Sequence, residues 1–301
     1  MACVVACPVT ERGHPLVGEV VTSLDESSSA DAAELVASLI AQMPVEATGV
    51  LMEKLPPVAE LDYSGHPIQL CVSSSEIGVR LLSVEKEPFT VDWIERSVKP
   101  GDVFYDIGAN VGAYSLIAAK AIVGARIFAF EPWPASFHDL SGNVLLNDAE
   151  RIVALPLALW SRTCLLSLRS SVAVAGAARH EISERVAEEA GTVTVLGVCL
   201  DDLVERWGFP APTHAKIDTD GSELEALRGG ERTLLRPEWQ TILVELDRHE
   251  TRRNRDVRKL LAAAGFDDGY EHERLPSLHF PQPKGRPDVY WTFRRRPTRT
   301  A

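Results

Sequence analysis

The sequence predicts an α/β fold, a doubly wound and mostly parallel sheet behind an N-terminal extension of helical and β character. Two observations carry this. From Val103 to Phe293, apolar runs of strand length alternate with amphipathic runs of helix length, the pattern of a sheet with helices on both faces. The first of these strands, Val103-Phe104-Tyr105-Asp106-Ile107, runs into a glycine-containing turn, Gly108-Ala109-Asn110-Val111-Gly112. Ligands of open α/β sheets bind at the carboxyl ends of the strands, where such turns lie.

Residues 1–58 read as an extension and 59–301 as the main domain. In the extension, Ser27-Ser28-Ser29 and Asp31 precede Ala33, Leu35, Val36, Leu39, Ile40 and Met43, which share one helical face. That face suits a cover for the substrate, a homodimer contact or plain core packing. Pro44, Pro56 and Pro57 punctuate the stretch after this face. The β-like runs 68–72 and 79–84, flanking Ser73-Ser74-Ser75, predict a small antiparallel element. Residues 87–97 form a helix with Phe89, Trp93 and Ile94 on one side, ended by the turn Lys99-Pro100-Gly101-Asp102. Strands are then expected at 103–107, 126–131, 152–160, 192–198, 215–218, 241–246 and 289–293. Helices are expected at 114–121, 135–147, 222–235 and 254–264, the last closed by Gly265. Residues 161–191 read as a polar insert.

The totals exclude several function classes. Hydrophobic residues make up 45% of the 301 and charged residues 25%, the mixture of a soluble globular protein. The formal net charge of -12 opposes a nucleic-acid partner, which needs a basic face. Arg294-Arg295-Arg296 reads as a solvated tail after the last strand. The five cysteines are scattered, and Cys3 and Cys7 form a lone CxxxC without a second ligand pair, so a zinc site is not expected. With no secretory pattern at the start and no apolar run of membrane-spanning length, a cytoplasmic protein with free thiols and no membrane partner is expected.

The turn after the first strand carries the chemistry. Its spacing is Gly108-xxx-Gly112 with Asn110 between, which is not the GxGxxG of dinucleotide binding. Asp106 sits at its mouth. A pyrophosphate over this helix start would face that carboxylate, and like charges at close range are costly. S-adenosylmethionine carries an ammonium and a sulfonium, which Asp106 complements, and its single carboxylate can take the N–H groups at the helix start. Glu131 closes the next strand, where an acidic residue accepts hydrogen bonds from both ribose hydroxyls of an adenosine-containing cofactor.

Several separate blocks then resemble one family. Glu87, Lys99-Pro100-Gly101-Asp102, the stretch from Asp106 to Ser115, Phe130-Glu131-Pro132, Asn143 and Asn147 are similar to the FkbM methyltransferases. So are Leu200-Asp201-Asp202-Leu203 and Lys216-Ile217-Asp218-Thr219-Asp220-Gly221-Ser222-Glu223. The resemblance spans about 87–293. It implies a class I methyltransferase, Rossmann-like fold, S-adenosylmethionine as methyl donor, and a hydroxyl of a small natural product or sugar as acceptor. It also implies a donor site made of Glu87, Asp106, Gly108, Asn110, Gly112 and Ser115, with Glu131, Pro132, Ala158 and Asp218. Glu131 would hold the ribose, and Leu157-Ala158 would lie near the adenine. Asp220 departs from the family, which more often has Glu there.

Transfer to a hydroxyl requires in-line approach and removal of a proton. The candidate catalytic residues are Asp218, Glu245 and His249, at the ends of two adjacent strands, with Asp220 and Glu223 as further candidates and Lys216 as a structural partner. Asp218 and Glu245 could also bind a divalent metal, although the family does not require one. Two other readings stay open: a nicotinamide-dependent oxidoreductase, which Asp106 and the missing GxGxxG oppose, and a non-catalytic methyltransferase-like partner subunit.

Overall fold

A computed structural model describes residues 58–74, 77–169, 176, 181–184, 191–247, 251–272, 277–280 and 288–297, within a unit that spans Pro57–Ala301. The chain enters through an antiparallel pair, β1 (Val58–Glu60) and β2 (Gln69–Cys71), and three helices, α1 (Ile77–Leu81), α2 (Ser83–Lys86) and α3 (Pro88–Ser97). The alternating part comes next: β3 (Val103–Ile107), α4 (Ala113–Ala121), β4 (Arg126–Phe130), α5 (Pro134–Leu146) and β5 (Ile152–Leu155). After an excursion come β6 (Leu157–Leu159), β7 (Cys164–Arg169), β8 (Glu181–Ser183), β9 (Thr192–Val198) and α6 (Leu200–Glu205). The chain continues through β10 (His214–Ile217), α7 (Glu223–Arg228), β11 (Thr241–Asp247), α8 (Arg252–Ala263), β12 (Tyr270–His272) and β13 (Asp288–Arg294).

The main sheet has seven strands in the order β12-β13-β11-β10-β3-β4-β5. Strands β11, β10, β3, β4 and β5 run parallel, and β13 is antiparallel to both of its neighbours. All five residues of β3 are buried, as a strand covered on both faces requires. One face packs Phe104, Ile127 and Leu243 against Trp93 and Ile94 of α3, Leu116 and Ile117 of α4 and Leu140 of α5. The other packs Tyr105, Ile217 and Val244 against Leu203 of α6, Leu227 of α7 and Leu261 of α8. The expected doubly wound sheet is therefore present.

Three expectations need correction. Residues 79–84 fall in two short helices separated by a turn at Leu82, not in a strand, and Ile77, Leu81 and Val84 all meet the α3–α4 core, at helical rather than alternating spacing. The stretch 152–160 is two strands in two sheets. Pro156 lies between β5 and β6 and has no N–H to continue a ladder. The polar insert contributes strands of its own: β7 and β8 pair with each other, and the four strands form a second sheet, β6-β9-β7-β8. That sheet closes a small core of Trp133, Ala158, Trp160, Leu166, Leu168 and Val195. The helix expected over 222–235 ends at Gly229, where an added Cβ would lie 2.0 Å from the Trp160 carbonyl oxygen, and a 3-10 turn, Thr233–Leu235, comes after it.

Arg295 is not part of a solvated tail either. Its guanidinium donates to the carbonyls of Leu234, Leu235 and Ala264, which fastens the chain after β13 to the end of α8. Among the described residues no helix is long and apolar enough to cross a membrane. The stretch 33–43 and its homodimer expectation, Cys3, Cys7 and His249 lie outside the described residues.

Candidate functional site

Strand register assembles the site at the carboxyl end of the sheet. Lys216 of β10 is opposite Asp106 of β3, and Ile217 is opposite both Ile107 and Val244. The next residues, Asp218 and Glu245, therefore emerge side by side. On β11's other flank Glu245 is opposite Tyr290 of β13, so the antiparallel strand adds a phenol to the group.

The turn after β3 is tightly closed. Gly108 and Asn110 have left-handed backbones, with φ of 83° and 52°. A Cβ at Gly108 would lie 1.9 Å from the Asp218 carbonyl oxygen, so only glycine lets the turn lie against β10. The N–H groups of Gly108 and Ala109 both donate to the Phe130 carbonyl, and that of Gly112 donates to Ala109. The Asn110 N–H donates to Oε2 of Glu131 at 2.8 Å, whose Oε1 accepts the Trp133 N–H at 2.7 Å. Two amides thus fix the Glu131 carboxylate at the wall of the cleft. Asp106 is fully buried, and its Oδ2 accepts the Ser115 hydroxyl of α4 at 2.6 Å. Its Oδ1 has no partner among the described residues.

Beneath the cleft lies a charged cluster. The buried Lys216 ammonium donates to Asp218 at 2.7 Å and sits 5.0 Å from the centre of the Tyr114 ring. The Tyr290 hydroxyl donates to the same Asp218 oxygen at 3.1 Å. Asp218 and Glu245 titrate as a pair, in which the charge on Asp218 disfavours ionisation of Glu245. Burial alone would raise Asp218, but Lys216, the hydrogen bond from Glu245 and Lys86 hold it well below its ordinary range. Burial, then the Asp218 charge and hydrogen bond, push Glu245 far above its own. Glu245 is therefore the carboxylic acid of the pair and Asp218 the anion. Burial raises Asp106, against Lys216 and Ser115. Burial would depress Lys216, but Asp218, Asp106 and Glu87 together raise it. Glu87, at 1% exposure, is paired with Lys86 at 2.6 Å.

A cleft lies above this cluster. Of the sequence-predicted donor residues, Gly108, Asn110, Glu131, Pro132, Ala158 and Asp218 line it. Asp106, Gly112, Ser115 and Glu87 stand behind the wall and shape it: Gly112 fits against Leu140, which an added Cβ would meet at 2.5 Å. Of the catalytic candidates, Asp218 and Glu245 line it together, and so does Asp220. Glu223 does not. It accepts the N–H groups of Thr219 and Gly221 and holds that loop. No group of three or more metal-ligating side chains is present among the described residues. In the turn before α4, the N–H groups of Gly108, Ala109, Asn110 and Gly112 all serve the protein's own acceptors. Sequence reasoning missed Tyr290, Arg80 and Lys86 on the wall, along with Leu168 and Ile182 of the second sheet. Nothing in their local pattern marks them, since they reach the cleft through sheet pairing and helix placement.

Other family blocks prove to be scaffolding. Asn143 accepts the Cys71 N–H and donates to the Val111 carbonyl. Asn147 bonds both backbone groups of Gln69. Asp201 accepts the N–H groups of Arg232 and Thr233. Asp102 meets buried His214 at 3.1 Å.

The strand order, the antiparallel β13 and the cleft at the carboxyl ends define a class I methyltransferase fold. Residues 106–267 match the Methyltransferase FkbM domain. The chain is 30% identical over 211 residues to hexuronic acid methyltransferase AglP of Haloferax volcanii, covering 69% of this chain and 81% of that one. It is 30% identical over 174 residues to methyltransferase sdnD of Sordaria araneosa, covering 48% and 67%. The crystal structure of methyltransferase FkbM from Methylobacillus flagellatus superposes with a TM-score of 0.45 at 17% identity, covering 64% and 44%. The chain belongs to the FkbM family of methyltransferases.

Proposed function

We propose that the protein is an S-adenosylmethionine-dependent O-methyltransferase acting on a hydroxyl of a sugar or another small natural product. The observation that carries the reading is the electrostatics of the cleft. Glu131, Asp218 and Asp220 line it, while the N–H groups of Gly108, Ala109, Asn110 and Gly112 are already bonded to protein acceptors. Such a wall suits a cationic adenosine cofactor, and the turn after β3 offers little to a pyrophosphate, which argues against the nicotinamide reading. The relative named for hexuronic acid supports a sugar acceptor.

When bound, the donor supplies an electrophilic methyl group on a sulfonium. The chain's residues then divide the work. Glu131 accepts the ribose hydroxyls, and Pro132, Leu157 and Ala158 give an apolar seat for the base. Asp218, kept ionised by Lys216 and Tyr290, faces the cationic end. The acceptor oxygen approaches over the Asp218–Glu245 pair, and Asp218 accepts a hydrogen bond from its O–H. As the new C–O bond forms and the thioether leaves, the proton lost from that oxygen passes to Asp218, the ionised member of the pair.

The test is calorimetric titration with S-adenosylhomocysteine and with NADH, followed by incubation of uronic acids and other hydroxylated sugars with S-adenosylmethionine. S-adenosylhomocysteine binding and a one-methyl mass gain on an acceptor oxygen are expected. Tight NADH binding without S-adenosylhomocysteine binding would overturn the reading.

A further inference from the structure

The donor's methionine moiety ends in a carboxylate, and the turn that leads into the helix start spends its N–H groups on the protein's own acceptors. The N–H groups of Gly108 and Ala109 go to Phe130, that of Asn110 to Glu131, and that of Gly112 to Ala109. Ser115 is fully buried and does not line the cleft. Val111, Ala113 and Tyr114 are buried and do not line the cleft. A carboxylate in a cleft already walled by Glu131, Asp218 and Asp220 needs a cation. Among the described residues the cationic side chains on the wall are Arg80 and Lys86. Lys86 is engaged at 2.6 Å by the buried Glu87 carboxylate. Arg80 is in no ion pair among the described residues. Its Nε donates to the Gly176 carbonyl at 3.0 Å, and the Gly176 N–H in turn donates to Ser136 at the start of α5 at 3.3 Å. This contact holds the guanidinium against the rim and leaves its two terminal nitrogens as a planar fork, the geometry that matches a carboxylate.

We propose that Arg80 of α1, which lies before the part of the chain that matches the family domain, grips the carboxylate of the donor's methionine moiety. This inference rests on the donor reading above. It assigns to the segment ahead of β3 a role in holding the cofactor that the turn after β3 does not fill.

The experiment is calorimetry on the full chain with two probes, S-adenosylhomocysteine and its decarboxylated analogue, which differ only in the carboxylate. In wild type the first should bind more tightly, and the gap should narrow as salt rises. Arg80→Met should weaken S-adenosylhomocysteine by about 10-fold to 100-fold, the loss of one charge-assisted contact. It should leave the analogue within about twofold, which also reports that the variant is folded. Arg80→Lys should restore part of the loss, since it keeps the charge without the fork. Unchanged S-adenosylhomocysteine affinity in Arg80→Met overturns the proposal, as does an equal loss for both probes. A raised KM for the acceptor with unchanged S-adenosylhomocysteine affinity also overturns it, and gives Arg80 to an anionic acceptor instead. Wild type that binds neither probe would refute the donor reading itself, a separate failure.

Discussion

Lys216 shows how one residue sets the character of the site. It is 1% exposed, and three carboxylates, Asp218, Asp106 and Glu87, hold it charged against the penalty of burial. A buried cation among anions is poor evidence of net stability, yet removing it leaves its partners uncompensated. Lys216→Met keeps most of the side-chain volume and removes the charge. The variant should lose about 3–5 kcal/mol of stability, read as a lower denaturant midpoint. It should also bind S-adenosylhomocysteine more weakly, because Asp218 would no longer be held ionised. A variant as stable as wild type would mean that these carboxylates do not need Lys216. The sequence marked Lys216 as a structural partner for an acidic neighbour. Its burial results from the register of β10 against β3, which no local pattern displays.

At the scale of the element, the cleft depends on a brace between the first antiparallel pair and the turn after β3. Asn143 on α5 spans them, accepting the Cys71 N–H at 2.7 Å and donating to the Val111 carbonyl at 2.9 Å. Asn143→Ala strips a partner from two backbone groups at once, and an unsatisfied buried group costs about 1–3 kcal/mol. A melting temperature lowered by several degrees is expected, together with weaker S-adenosylhomocysteine binding as the turn loosens. Loss of stability with unchanged affinity would show that the brace supports the fold but not the turn. Elements of the central sheet were legible because each is long enough to show its period: β3, β4, α5 and β11 stand close to where the apolar pattern put them. The elements that were misread are short or interrupted. Pro156 hides a change of sheet inside one apolar run, α1 and α2 are too short to separate from strands, and β12 is three residues with no apolar alternation. The candidate site was legible where a residue must be a particular type, as at Gly108, Asp106 and Glu131. It was not legible where tertiary placement alone brings a side chain to the cleft, as with Tyr290 and Arg80.

Across the whole molecule, a chain of formal charge -12 concentrates carboxylates around one cleft, and their titration couples to folding in opposite directions. Asp218 and Glu87 sit below their ordinary values when folded. The stability they contribute is complete above the unfolded value and is lost as pH falls through the folded one. Glu245 runs the other way. In the unfolded chain it releases its proton near 4.5, while in the folded protein it keeps that proton to a much higher pH, from burial and the adjacent Asp218. Between those two points the unfolded state gains by ionising and the folded state does not, so rising pH weakens the fold. Glu245→Gln removes this slope alone, because the neutral amide still donates to Asp218 and cannot ionise. The melting temperature of the variant minus that of wild type should be smallest near pH 4 and grow in the variant's favour toward pH 7, measured in matched buffers at constant ionic strength. Parallel curves would mean that Glu245 titrates alike in both states and holds no proton beside Asp218. The site would then carry two full negative charges at neutral pH, and the carboxyl end of the sheet would attract a cation more strongly than a pair with a single charge can.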